Sequence, residues 1–180
     1  MTTQDAAALH DDRWTVRVAT LDELDARTAY EAWRLRQDVF VVEQECAYPD
    51  LDGRDAEPAA RHVVLLDGGQ AGRVVATARV LDDGDVQRIG RVVCHPDVRG
   101  TGASGVLMRV AVEVSTAAAP GADVVLGAQS PLTGFYGRFG FVPDGPEYLE
   151  DDIPHTPMRL CRGRVGGTEM SAAEPTLGPR

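Results

Sequence analysis

The chain has 180 residues, the size of one ordinary domain, and its 43% apolar and 26% charged residues are the composition of a soluble globular protein able to bury a core. A formal net charge of −10 and a pI near 4.8 argue against a nucleic-acid or anionic-membrane partner held by counterion release. All eighteen basic residues are Arg, and the lack of any Lys excludes a Schiff base, a lysine contact in a phosphate loop and a Ser-Lys pair.

Cys46, Cys94 and Cys161 show no C-x-x-C spacing, which fits a reducing compartment, so a cytoplasmic protein is expected. The first twelve residues, MTTQDAAALHDD, lack the basic and apolar regions of a signal peptide, and no apolar run approaches the roughly 18 residues of a membrane span. Residues 1–12 and 163–180 are small, polar and aperiodic, so two flexible ends are expected around a single domain over 13–162.

Trp14, Val16 and Val18 alternate with polar residues, a first strand, and Thr20 with Glu23 forms a capping-box pattern that predicts a helix start. Ala26, Ala29, Tyr30, Trp33 and Phe40 supply that helix with an apolar face. After an aperiodic stretch from Glu43 to Arg61 come three runs, His62 to Leu66, Arg73 to Leu81 and Val86 to Cys94. The turn signals Asp67-Gly68-Gly69 and Asp82-Asp83-Gly84-Asp85 separate them, which predicts an antiparallel meander. A Pro- and Gly-rich connection leads into a helix carrying Leu107, Val110, Ala111 and Val114, ending near Pro120-Gly121. Asp123 to Ala128 reads as a strand, Ser130-Pro131 as the start of a short helix, and the remainder as a strand pair around Phe141 and His155 to Cys161. The predicted order is β-α-β-β-β-α-β-α-β-β, an α+β domain with one parallel crossover and a mixed, mostly antiparallel sheet flanked by helices.

The segment Val92-Val93-Cys94-His95-Pro96-Asp97-Val98-Arg99-Gly100-Thr101-Gly102-Ala103-Ser104-Gly105 is a strand end, a Gly-rich turn and a helix start. Such a turn directs consecutive backbone N–H groups toward the positive end of a helix dipole and lets a pyrophosphate approach closely. Gly100-x-Gly102-x-x-Gly105 also matches a dinucleotide fingerprint, but three antiparallel strands precede it and only one crossover follows, so no doubly wound sheet fits.

These residues resemble the GNAT superfamily of N-acetyltransferases, whose signature Arg/Gln-x-x-Gly-x-Gly/Ala binds the pyrophosphate of acetyl-CoA. Arg99 to Ser104 matches it, with Ser104 where Gly or Ala is usual. Gln129, Tyr136 and Gly140-Phe141 resemble a second block of the superfamily. Val39-Phe40-Val41-Val42-Glu43-Gln44, Tyr48, Asp50-x-Asp52-Gly53, Gly127-Ala128-Gln129 and Ile153-Pro154-His155 narrow the resemblance to its ElaA-like branch, over residues 14 to 162. The resemblance implies a V-shaped splay between the fourth and fifth strands. It also implies acetyl-CoA as cosubstrate, held by the backbone of Val92, Val93 and Cys94, by Arg99, Gly100, Thr101, Gly102, Ala103, Ser104 and Gly105, and by Gln129 and Tyr136.

Acetyl transfer to a primary amine in a ternary complex needs an acid beside the departing thiolate and a base for the amine. Tyr136 occupies the superfamily's acid position; Glu43, His62, Glu150 and His155 are candidate bases, with Glu43 and His155 preferred and His62 the weakest. Cys94 and His95 are adjacent in a strand and point to opposite faces, so they form no nucleophilic dyad. Asp50-x-Asp52-Gly53-x-Asp55 departs from a calcium loop at Arg54 and Asp55, and no ligand spacing predicts a metal site. Residues 21–60 carry eleven acids against four Arg, and 141–155 five acids with no basic residue, which points to a cationic small-molecule or peptide amine as acceptor. A homodimer is compatible with the sequence. Two other readings stay open: a CoA-binding sensor or interaction module without turnover, and a nucleotide-dependent oxidoreductase.

Overall fold

The structure, a computed structural model, describes residues 13–68 and 73–163. The ends expected to be flexible therefore lie outside the described residues, Gly163 apart, as does Gly69 of the first predicted hairpin turn.

β1 (Trp14–Ala19) buries Trp14 and packs Val16 and Val18 against the core. The capping box at Thr20 forms as predicted, but it closes only a 3-10 turn, Leu21–Glu23, because the chain goes extended at Leu24. α1 (Ala26–Arg36) starts instead at Asp25, whose carboxylate accepts from the Thr28 amide at 2.9 Å. Its buried face is Thr28, Ala29, Ala32, Leu35 and Arg36, and the Tyr30 expected there is exposed. The helix then widens into a π-helical turn over Gln37–Glu43, closed by the Gln44 amide bonding to the Val39 carbonyl five residues back.

β2 (Arg61–Asp67), β3 (Val74–Asp82) and β4 (Val86–Cys94) form the predicted meander. At its second turn the Asp82 carboxylate accepts from the amide of Gly84, which has φ +83°. Both faces of these strands are covered. α2 (Ala103–Ala118) packs Leu107, Met108 and Ala111 against Val63, Leu65 and Val75, and α1 packs Ala32 and Leu35 against Val64, Val74 and Val93. That two-sided cover is why β3 reads as an apolar run and does not alternate.

β5 (Asp123–Gln129) returns parallel to β4, the one crossover. Pro131 then sits in a 3-10 turn, and α3 (Thr133–Gly137) begins at Thr133, later than predicted. The predicted final strand pair is three strands: β6 (Val142–Pro143), β7 (Tyr148–Glu150) and β8 (Ile153–Leu160). The sheet order is β1-β2-β3-β4-β5-β8-β6, with β7 also paired to β8. This is the predicted α+β architecture with one added hairpin. Among the described residues no helix is long and apolar enough to cross a membrane.

Candidate active site

The sheet opens along part of its length. β4 and β5 pair only as far as Arg88 and Val125; beyond them residues 89–94 and 126–129 diverge as the arms of a V. β4 also carries an extra residue opposite β3, since Thr77 faces Val93 and Arg79 faces Gly90, and within that bulge Arg91 takes φ +53°. The arms bound a cleft of about 480 Å³. The β4 edge along the cleft offers unpaired backbone groups that an extended guest would pair with as a strand does.

At the open end of the V, Gly100 (φ +76°) and Gly102 (φ +97°) turn the chain into α2. A Cβ at either would meet no protein atom within 4 Å, so the left-handed backbone and the approach of a guest, rather than crowding, call for glycine. The loop's internal bonds use the amides of Thr101, Gly105 and Val106. Among the described residues those of Gly102, Ala103 and Ser104 make none, and they lie at the N-terminus of a 16-residue helix, an anion cradle.

Arg99 is held by both oxygens of Glu43, at 2.8 and 2.9 Å. That bidentate bond keeps the Glu43 carboxyl below its ordinary pKa, which makes it a weaker base and ties it to Arg99 at the start of the Gly-rich turn. Tyr136, from α3, is 7% exposed and packed edge-on to Phe135 and Phe141 at 5.1 and 6.4 Å. Burial, with the Cys94 thiol beside it, pushes its pKa up to about 12. The Cys94 thiol itself is pushed up to about 11 by burial. A thiolate leaving in this cleft would feel the same burial, so phenol and thiolate are closer in proton affinity here than the phenol's raised value alone implies. Gln129 donates from Nε2 to Gln44 at 3.1 Å, which joins the tip of β5 to the end of the π-helical turn.

His155 lies on β8 in the cleft wall, with Nδ1 2.9 Å from the Ile153 carbonyl oxygen. A carbonyl only accepts, so Nδ1 is the donor in this contact, and Nε2 is the ring nitrogen turned to other partners. Glu150 lies in the same wall and accepts from the Tyr148 hydroxyl at 3.3 Å. His62, by contrast, is 4% exposed on β2 and bonded through Nε2 to the Asp55 carbonyl at 3.0 Å, a structural position.

Most of the acidity of residues 21–60 is internally matched. Arg36 binds Asp50 and Asp55 at 2.8 and 2.7 Å, Arg79 binds Asp52 and Asp55 at 2.7 and 3.0 Å, and Arg91 binds Asp50 and Asp52 at 2.8 and 3.2 Å. The Tyr48 hydroxyl donates to Asp50 at 2.9 Å, with Arg91 over its ring. The Asp50-x-Asp52-Gly53-x-Asp55 stretch is thus an anchor that fixes the 44–57 loop to α1, β3 and the β4 bulge. Glu150 and Asp151 line the cleft with no ion pair among the described residues. Backbone strain gathers here as well: Glu45, Arg91, Asp151 and Asp152, the four non-glycine residues with positive φ among those described, all border the cleft or the hollow beside it.

Sequence reasoning missed Gln44, Cys46, Arg91 and Tyr148 as residues of the site. Cys46 lies 3.8 Å from the Asp151 carbonyl and ties the loop to the β7–β8 hairpin. The available signal for Tyr148 was a glycine, Gly127, in the middle of a strand.

The acetyltransferase (GNAT) domain family matches residues 38–161. A UPF0039 protein of Mycobacterium tuberculosis is 44% identical over 140 residues, 76% of this chain and 86% of its own. ElaA of Escherichia coli is 41% identical over 139 residues, 76% of this chain and 89% of its own. The crystal structure of E. coli ElaA superposes with a TM-score of 0.75 at 37% identity, covering 81% of this chain and 98% of that one. An acyl-CoA N-acyltransferase from Pseudomonas aeruginosa does so with a TM-score of 0.74 at 36% identity, covering 82% and 99%.

Proposed function

The chain belongs to the acetyltransferase (GNAT) family, and from that premise we propose that residues 13–162 transfer an acetyl group from acetyl-CoA to a primary amine by direct attack in a ternary complex. The observation that carries this reading is one continuous path: an amide cradle at the N-terminus of α2, an unpaired β4 edge along the V, and a buried phenol beside it.

In this mechanism the amides of Gly102, Ala103 and Ser104 receive the pyrophosphate, and Arg99 turns from Glu43 toward it. The edge of Val92 to Cys94 holds the pantetheine arm as an added strand and aligns the thioester. Tyr136 stays protonated throughout the physiological range and supplies its proton to the departing thiolate. His155, oriented by its Nδ1 contact with the Ile153 carbonyl, accepts the proton of the attacking amine through Nε2, and Glu150 stands by as an alternative through Tyr148. Glu43 serves Arg99 in this scheme.

The acceptor is a cationic amine. Glu150 and Asp151 face the cleft without arginine partners, so they draw a cation in and lower its free energy there; the same field raises the amine's pKa and makes the base necessary. The free thiols of Cys46, Cys94 and Cys161 suit a reducing, cytoplasmic setting.

The test follows free thiol released from acetyl-CoA with a panel of polyamine-like, lysine-like, neutral and anionic amines. Turnover with the cationic members is expected, with acceptor kcat/KM falling as salt rises from low to physiological strength. A best acceptor of net negative charge, or a cationic one indifferent to salt, overturns the acceptor assignment. Binding of acetyl-CoA without turnover on any amine favours a CoA-binding module.

A further inference from the structure

Gly127 stands within β5 with an ordinary strand backbone, so its φ does not require glycine, and glycine there weakens a strand. A neighbour requires it. A Cβ at 127 would lie 2.6 Å from the phenol oxygen of Tyr148 and 3.8 Å from its Cζ. Tyr148 sits on β7 opposite His155 of β8, which in turn sits opposite Gln129 of β5. Its side chain therefore crosses β8, passing the His155 ring at 5.8 Å and a 31° tilt, to end against β5. The phenol is also close enough to Arg88 for the guanidinium to act on it, and Arg88 is the last residue of β4 still paired with β5. Gly127 and Arg88 flank the apex of the V, so the phenol occupies that apex.

The cradle and Arg99 stand at the opposite, open end. A guest anchored there by its phosphates and running along the β4 edge from Cys94 toward Gly90 points its far end at Tyr148. We propose that Tyr148, admitted by the missing side chain of Gly127, stops the acyl end of the cleft and restricts the donor to short acyl chains. This deepens the acyl-CoA reading above and rests on it.

The test is calorimetric binding of acetyl-, butyryl- and hexanoyl-CoA, which needs no acceptor and no turnover. The wild-type protein is expected to bind hexanoyl-CoA at least tenfold more weakly than acetyl-CoA. Tyr148→Ala should bring the two affinities within about threefold, Tyr148→Leu should fall between, and Tyr148→Phe, which keeps the ring, should retain most of the discrimination. Because 41% of Tyr148 is exposed, these replacements leave the core untouched. Equal binding of both donors by the wild type, or an unchanged ratio in Tyr148→Ala, overturns the proposal and leaves the acyl-CoA reading standing. Failure of the wild type to bind any of the three overturns that reading, and this inference with it.

Discussion

On the β4 side of the cleft, the groups proposed to hold a guest are mainly backbone, the amides of residues 102–104 and the unpaired edge from 89 to 94, with the Arg99 side chain beside them. On the β8 side they are side chains, Tyr148, Glu150, Asp151 and His155, carried by a hairpin and flanked by the 44–57 loop. The backbone side depends on glycine conformation and strand divergence, so it suits the part of a donor common to every acyl-CoA. The side-chain side can change residue by residue without disturbing the sheet, so under the proposed function it is the side that would carry selectivity for acyl group and acceptor. It needs its own scaffold, and the six Arg–Asp pairings made by Arg36, Arg79 and Arg91 provide it.

The most severe way to break this division is to remove that scaffold. Arg36 is 2% exposed, and Arg36→Ala would leave Asp50 and Asp55 buried with one of their cations gone. Breaking a buried pair from one side costs about 3–5 kcal/mol, which urea denaturation would register directly. A loss under about 1 kcal/mol would mean that Arg79 and Arg91 suffice, and that the loop is anchored less by charge than by packing.

The next test falls where the two sides meet. Tyr136→Phe keeps the ring against Phe135 and Phe141 and deletes only the proton. Turnover should drop by roughly 10² while acetyl-CoA affinity holds, the signature of an interaction made mainly in the transition state. Undiminished activity across the pH range would remove Tyr136 from the chemistry.

The same division explains what could be read from the chain. Gly100, Gly102 and the amphipathic α2 are neighbours in sequence, and the meander of β2 to β4 is a run of adjacent hairpins, so local pattern and resemblance together sufficed. The α1 face went astray at Tyr30 because helical spacing does not reveal which stripe meets β3, and the capping box at Thr20 looked the same before a 3-10 turn as before a helix. The acidic stretch was misjudged more deeply. Asp50, Asp52 and Asp55 are matched partly by Arg79 and Arg91, which lie 24 and more residues away, and charge counting within a segment is blind to such pairing. Tyr148 reaches Gly127 only after β8 inserts between β5 and β6, a long-range event for which the mid-strand Gly127 signals a close approach but not its partner.

A narrower cut touches the backbone side alone. In Gly102→Val a Cβ meets nothing in the protein within 4 Å and would project into the space proposed for the pyrophosphate, at a residue with φ +97°. The acetyl-CoA dissociation constant should rise tenfold or more, about 1.4 kcal/mol, and the left-handed backbone adds a separate cost to folding. Measuring affinity and Tm together separates the two effects; unchanged affinity would show that the cradle does not hold the pyrophosphate.

The smallest effect comes from pH and bears on the scaffold again. His62 packs under the 44–57 loop with Asp55, Arg36 and Arg79 around it. Burial lowers its pKa and both arginines add to that, outweighing the opposing hydrogen bond and charge of Asp55. An unfolded histidine titrates near 6.5. Below that pH the unfolded chain takes up a proton that folded His62 refuses, so stability is full above about 6.5 and is lost as pH falls toward the lower folded value. One proton sets the limit at about 1.4 kcal/mol per pH unit. The carboxyls of Asp52 and Asp55 act in a different window. Hydrogen bonds from Arg79 hold Asp52 low, and Arg36 holds Asp55 low against its own burial, so their contribution persists above about pH 4 and fades only below it. Between pH 6.5 and 5 the slope therefore separates His62 from these carboxyls, and His62→Gln, which can still donate to the Asp55 carbonyl, should make it shallower. A variant with the wild-type slope would place that acid sensitivity elsewhere and detach His62 from the anchor.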